Sequence, residues 1–300
     1  MALPTFERRY ASAYDGTRLE IQTFGRGEKT LLIANGLGGT LVAWAPLLRA
    51  LEDEYRFVSW DYRGLYNSGP PAIADRIGVE DHVADMQVVM DATGTESAII
   101  AGWSMGVQVC VQATADLRER IEGVVLINGT YGRIFDTAFP FPGTGKLFPW
   151  VNKAIIAASP VMPPLVSAAT KFPYFVPLME KVGMVDEHLD REVFVAMAQG
   201  FKRLNFRVYH QIMQRLHDHD GEMLLPDIVQ PTLLVVGERD ALTPPSIRKV
   251  FEKHVPHCET FCVPRGTHYS ILEYPELVVG RIKRFLDQNF AADAPRAKAV

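Results

Sequence analysis

Ser104 stands between two glycines in Gly102-Trp103-Ser104-Met105-Gly106, directly after the apolar run Ala98-Ile99-Ile100-Ala101. A strand that ends in this pattern and passes straight into a helix must turn so sharply that the serine takes strained backbone angles. Only small neighbours fit beside it. The turn lifts the hydroxyl to the C-terminal edge of a sheet. It also aims the N-terminus of the next helix, read over residues 104–117, at the same point, where an anion formed on a substrate would be stabilised. Serine is a weak nucleophile at neutral pH, so it needs a base within hydrogen-bond reach. The base in turn needs a carboxylate that fixes its tautomer and stabilises its cation.

The elements that must position such a group are legible along the chain. Residues 9–14 and 18–24 read as strands joined at Asp15-Gly16, a hairpin dipeptide. Further strands are expected at 30–34, 56–60, 98–101, 123–127, 232–236 and 259–263. Residues 80–92 form an amphipathic pattern, with Val83, Met86 and Met90 on one face and Gly94 just past its end. A terminal helix is expected over 275–288, followed by a frayed tail after Asn289. Strands separated by helices imply right-handed crossovers and a mostly parallel sheet, an α/β fold. Between Ile127 and Thr232 lie about a hundred residues, against the ~2–6 of an ordinary connection, which marks an insertion. Its first half, 135–185, is rich in Phe, Pro, Met and small aliphatics. Its second half has Phe206, Tyr209, Met213 and Leu216 at helical spacing.

Composition narrows the function. With 300 residues, 48% hydrophobic and 22% charged, the chain can bury a substantial core. A net charge of -4 without a basic run gives no footprint for nucleic acid or for an anionic membrane. Residues 1–9 lack the apolar stretch of a secretory signal, and no run of about 20 apolar residues occurs, so a cytoplasmic location without a stable membrane anchor is expected. Cys258 and Cys262 fall in one strand with Cα atoms roughly 13 Å apart, too far for a disulfide. In His217-Asp218-His219-Asp220, residues two apart on a helix point to different faces, so this stretch reads as a solvated helix end rather than a ligand set. No H-E-x-x-H or paired C-x-x-C pattern occurs, and Gly36-x-Gly38-Gly39 lacks dinucleotide-fingerprint spacing. Neither a metal nor a cofactor is expected.

Taken together, the strand order, the serine elbow and the insertion after the sixth strand resemble the α/β-hydrolase superfamily with a cap, over nearly the whole chain. The resemblance implies a core of residues 1–130 and 223–300 and a helical cap of 131–222. It also implies a triad in the order Ser, Asp, His. Gly237-Glu238-Arg239-Asp240 follows the strand at 232–236, in the position resembling the family's acid turn, and Gly266-Thr267-His268 follows the last strand, where the family's histidine resides. Ser104 is therefore assigned as nucleophile, His268 as base and Asp240 as the orienting acid, with Asp116, Asp220 and Glu238 as alternatives. The family's other acid position, after the preceding strand, holds Asn128, which cannot carry a charge.

An oxyanion hole needs two backbone N–H groups aimed at the developing charge. The resemblance points to Met105, after the nucleophile, and to Leu37 in Asn35-Gly36-Leu37-Gly38-Gly39, where Asn35 replaces the usual histidine. Asp61-Tyr62-Arg63-Gly64, with Ser68 and Gly69, resembles the family's D-x-R-G-x-G-x-S turn and reads as scaffolding, although Tyr66 stands where glycine is usual.

The cap aromatics, among them Phe135 and Phe139, are expected to roof the catalytic edge, and Trp103 and Trp44 to add to its wall. Such a pocket suits an uncharged small-molecule ester with aliphatic or aromatic groups, cleaved through an acyl-enzyme. Thioesters, lactones and activated carbon-carbon bonds are open to the same machinery. A slow-turnover ligand-binding protein and an interfacial lipase are alternatives of other classes.

Overall fold

The computed structural model describes residues 4–137 and 143–291. Its centre is an eight-stranded sheet: β1 (Glu7–Ser12), β2 (Arg18–Phe24), β3 (Lys29–Ala34), β4 (Tyr55–Trp60), β5 (Ala98–Trp103), β6 (Ile121–Ile127), β7 (Thr232–Gly237) and β8 (Cys258–Val263). The spatial order is β1-β2-β4-β3-β5-β6-β7-β8. β1 with β2 and β2 with β4 are antiparallel, and every pairing from β4 onward is parallel. The first hairpin closes two residues earlier than its sequence suggests. Ala13 and Thr17 already pair across the turn at 2.8 Å, and Gly16 takes φ +89°.

The central strands are apolar through most of their length because both faces of the sheet are covered. Leu32, Ala34, Ile100, Val124, Leu126, Leu234 and Val236 point into one core layer. Their neighbours Leu31, Ile33, Ile99, Val125, Ile127, Leu233 and Val235 point into the other. The first layer is closed by α2 (Val79–Ala92), α3 (Met105–Asp116) and, further on, α10 (Ile247–His254). The second is closed by α1 (Ala45–Leu51) and α12 (Pro275–Phe290). Val83, Met86 and Met90 of α2 all face the first layer, as their spacing predicts.

The insertion lies between β6 and β7. It comprises α4 (Ile134–Thr137), α5 (Thr144–Ala157), α6 (Met162–Lys171), α7 (Phe175–Lys181), α8 (Arg191–Gly200) and α9 (Phe206–Asp218). α9 packs against α5, and α8 against α6. A short helix, α11 (Ser270–Glu273), follows β8.

Candidate active site

The parallel strands deliver the predicted groups to one edge. β5 ends at Trp103 and α3 begins at Met105, leaving Ser104 between them with φ 55° and ψ -117°. That left-handed conformation is unfavourable for a serine and is held by the packing around it. A Cβ on Gly102 would lie 2.3 Å from the Gly106 carbonyl oxygen, and one on Gly106 only 1.9 Å from that of Ala34. Both glycines are thus required for the elbow to sit on β3.

β7 delivers Asp240 and β8 delivers His268, as predicted. His268 Nδ1 lies 3.0 Å from Asp240 Oδ2 and 3.2 Å from Oδ1. With Nδ1 committed, Nε2 is the ring nitrogen left to exchange a proton. Asp240 also accepts from the Leu242 and Thr243 amides, both at 2.9 Å, from Thr243 Oγ1 at 2.6 Å and from Asn128 Nδ2 at 3.0 Å. Burial alone pushes this carboxyl up, but the charge on His268 and these donors outweigh it and hold it below the ordinary carboxylate range. Asp116, Asp220 and Glu238 make no bond to His268.

Asn128, at the alternative acid position, bonds to the acid instead. It has φ 46°, donates to Asp240 and to the Thr267 carbonyl at 3.1 Å, and accepts from Ser270 Oγ.

Ser104 and His268 line one cavity of about 390 Å³. Leu37 and Met105 line it too, and neither amide meets an acceptor among the described residues. The turn from Gly36 to Gly39 closes through a 2.8 Å backbone bond, with Gly38 at φ +74°. Asn35 anchors it inward, donating to Ser59 Oγ at 2.9 Å and accepting from Trp44 Nε1 at 3.0 Å. The predicted scaffold segment holds the same turn. Tyr62 donates to the Asn35 carbonyl at 2.8 Å, and Tyr66, in the left-handed region at φ 50°, donates to that of Gly38. Arg63 is fully buried, bonded to Asp85, to Asp15 at 3.0 Å and to the Arg76 carbonyl at 2.8 Å.

The pocket wall differs from its prediction. Trp103 and Phe135 line it, and the Trp103 indole donates to the His268 carbonyl at 3.0 Å. Trp44 does not. Its indole bond to Asn35 draws it behind the turn from Gly36 to Gly39, where it is 1% exposed in the second core layer. Phe139 lies outside the described residues. Phe148 is one layer back, stacked on Phe135 with centroids 3.7 Å apart, while Trp150, Phe172 and Tyr174 face outward.

Much of the apolar lining comes from residues not predicted for the site: Met197, Phe201, Leu242, Tyr269 and the α9 face of Tyr209, Met213 and Leu216. The helical spacing of that face was legible, but spacing alone does not separate a core stripe from a pocket wall. Glu273 was also missed. Its carboxylate accepts from the Thr267 amide at 2.7 Å, from Thr267 Oγ1 at 2.5 Å and from the Asp186 amide at 2.8 Å, tying the histidine loop to the insertion.

The His217–Asp220 stretch is only half solvated. Asp218 and Asp220 are exposed. His217 packs edge-on against Phe148 and Phe135, and His219 reaches Gln108 and Gln112 of α3 at 3.1 and 3.2 Å. Asp186, Glu187 and His188 bring their ligand atoms within 4.8 Å of one another. Arg265 and Tyr274 already occupy Asp186, so this group is an ion-pair network.

A sequence profile of the alpha/beta hydrolase fold matches residues 29–275. The chain belongs to the alpha/beta hydrolase family. A protein of Azorhizobium caulinodans named RutD carbamate hydrolase is 26% identical over 253 residues, 83% of this chain and 88% of that protein. Two solved structures share this alpha/beta hydrolase's fold. One is the enol-lactonase of Burkholderia xenovorans, with TM-score 0.75 and 23% identity, covering 93% of this chain and 99% of that one. The other is an esterase of Exiguobacterium antarcticum, with TM-score 0.76 and 16% identity, covering 94% and 100%.

Proposed function

We propose that this alpha/beta hydrolase cleaves uncharged carboxylic esters through an acyl-enzyme. The observation that carries the reading is that His268, oriented by Asp240, shares an apolar cavity with Ser104 and two uncommitted backbone amides. His268 Nε2 takes the Ser104 proton as Oγ bonds to the ester carbonyl carbon. The carbonyl oxygen becomes an oxyanion held by the Leu37 and Met105 amides, each such donor typically contributing ~10²–10³-fold in rate. Collapse expels the alcohol, which takes the proton from His268, and leaves the acyl group on Ser104. Water, deprotonated by His268, repeats the sequence and releases the acid.

The inserted helices act as a cap over this edge, and their lining sets the substrate class. No lysine or arginine faces the cavity among the described residues. A substrate carrying its own carboxylate would thus be desolvated without a partner, which favours neutral esters over anionic carbamates or lactone acids. The test is p-nitrophenyl ester turnover together with labelling by a fluorophosphonate. Both are expected in the native protein and absent in Ser104→Ala. Equal turnover in that variant would defeat the assignment.

A further inference from the structure

The outer surface of the insertion is the most apolar part of the exterior. Of the fifteen large hydrophobic side chains exposed among the described residues, nine lie between Leu147 and Val182. Isolated exposed apolar residues are ordinary, but this density over three consecutive helices is not. Trp150 on α5 is 74% exposed and Tyr174 before α7 is 66% exposed, with Leu165 of α6 between them in sequence. The charges are as one-sided. Lys146, Lys153, Lys171 and Lys181 are all exposed, although the whole chain is net negative. Between Gly143 and Gly183 the one acid, Glu180, is paired to Arg191 at 2.6 Å.

We propose that the outer face of α5, α6 and α7 docks peripherally on an anionic lipid bilayer. Tryptophan and tyrosine favour the headgroup level, where the ring is buried and its polar atom stays wet. Lysines alongside lay their stems on apolar surface and present the ammonium to lipid phosphates. The three helices are too short to cross a bilayer, and no helix among the described residues is long and apolar enough to do so, so the contact lies in the interface plane. A second copy of the chain fits less well, because a two-fold contact would set the same lysines against one another. An anionic surface neutralises them.

Trp150 is two residues from Phe148, which stacks on the pocket-lining Phe135. Residues two apart on a helix point to different faces, so α5 turns Trp150 outward and Phe148 toward the cavity wall. Docking would hold that wall against the bilayer in which an apolar ester dissolves, a consequence that rests on the hydrolase reading, whereas the docking does not.

The experiment is co-sedimentation of the full chain with phosphatidylcholine vesicles, with and without phosphatidylglycerol, at about 0.05 M and about 1 M salt. Binding is expected to vesicles containing phosphatidylglycerol and to weaken at high salt. Changing all four lysines to glutamine should lower partitioning on the order of 10³-fold, and Trp150→Ser with Phe172→Ser roughly tenfold. Turnover of a soluble short-chain ester should be unchanged in both variants, showing that they fold. Ser104→Ala should bind vesicles as the native protein does, so loss of the ester reading leaves this one standing. No vesicle binding, binding to neutral vesicles equal to that on anionic ones, or a dimer abolished by Trp150→Ser in a protein that ignores vesicles would overturn the proposal.

Discussion

Asn128 Nδ2 lies 3.0 Å from Asp240 Oδ2 and 3.1 Å from the Thr267 carbonyl oxygen, so one amide at the end of β6 ties the acid to the residue preceding His268. Asn128→Gly keeps the positive φ and removes the tie. Its kcat is expected to fall about tenfold with KM little changed, as for a group acting only through the triad. Asn128→Ala adds backbone strain of roughly 1–2 kcal/mol, read as a lower denaturation midpoint. An unaltered kcat in the glycine variant would mean that Leu242 and Thr243 hold Asp240 unaided.

Asp240→Asn preserves the shape but presents an amide to His268 Nδ1, favouring the wrong tautomer. A loss of kcat of about 10⁴-fold is expected. Because the folded Asp240 carboxyl lies below its ordinary value, its ionised form stabilises the native state above about pH 4. That contribution disappears as pH falls through the folded value. The stability gap between native protein and variant should therefore narrow in acid, as followed by urea unfolding at several pH values.

Tyr66→Phe removes the hydroxyl that holds the Gly38 carbonyl and leaves the ring in place. The oxyanion turn should loosen, lowering kcat severalfold to tenfold with a smaller change in KM. A tetrahedral-intermediate mimic such as a boronic acid should lose affinity by the same factor. Loss of ground-state binding alone would show that Tyr66 does not govern the Leu37 amide.

Asp61 is buried and its carboxyl is pushed up to about 6, first by burial and further by Glu20, with the Asn67 amide opposing. The folded state thus binds this proton more tightly than the unfolded one. The site is most favourable below about pH 4, and stability declines as pH rises toward 6, by at most about 3 kcal/mol. Asp61→Asn does not titrate, so its melting temperature should gain on the native protein between those limits. Parallel melting curves across the range would contradict the burial effect.

Gly106→Ala would place a methyl group against the Ala34 carbonyl of β3. Backbone cannot yield as a side-chain tip can, so a destabilisation of about 3 kcal/mol or more and loss of the elbow are expected. Circular dichroism melts and ester turnover together would test this.

The elbow and the strand set were legible because they depend on neighbours in sequence: glycines flanking Ser104, apolar runs of strand length, and hairpin chemistry at Asp15-Gly16. Trp44 was misplaced because a tryptophan near a site has no local signal of direction. Its indole found Asn35, nine residues away, and turned into the core. Glu273 escaped notice because its value comes from three donors, two on Thr267 and one on Asp186, the last of them 87 positions away.

By itself, the sequence determined that a serine would be raised at a strand end, since short-range backbone geometry suffices for that, whereas the choice of Asp240 and His268 came from the resemblance to the α/β-hydrolase family. Only the tertiary structure decided what surrounds them. Helical spacing says that Tyr209, Met213 and Leu216 share a face, and composition says that Trp150 and Phe172 are apolar. Whether such a face meets a cavity, a core or solvent depends on which distant helix packs over it, and the period of a pattern carries no information about its partner.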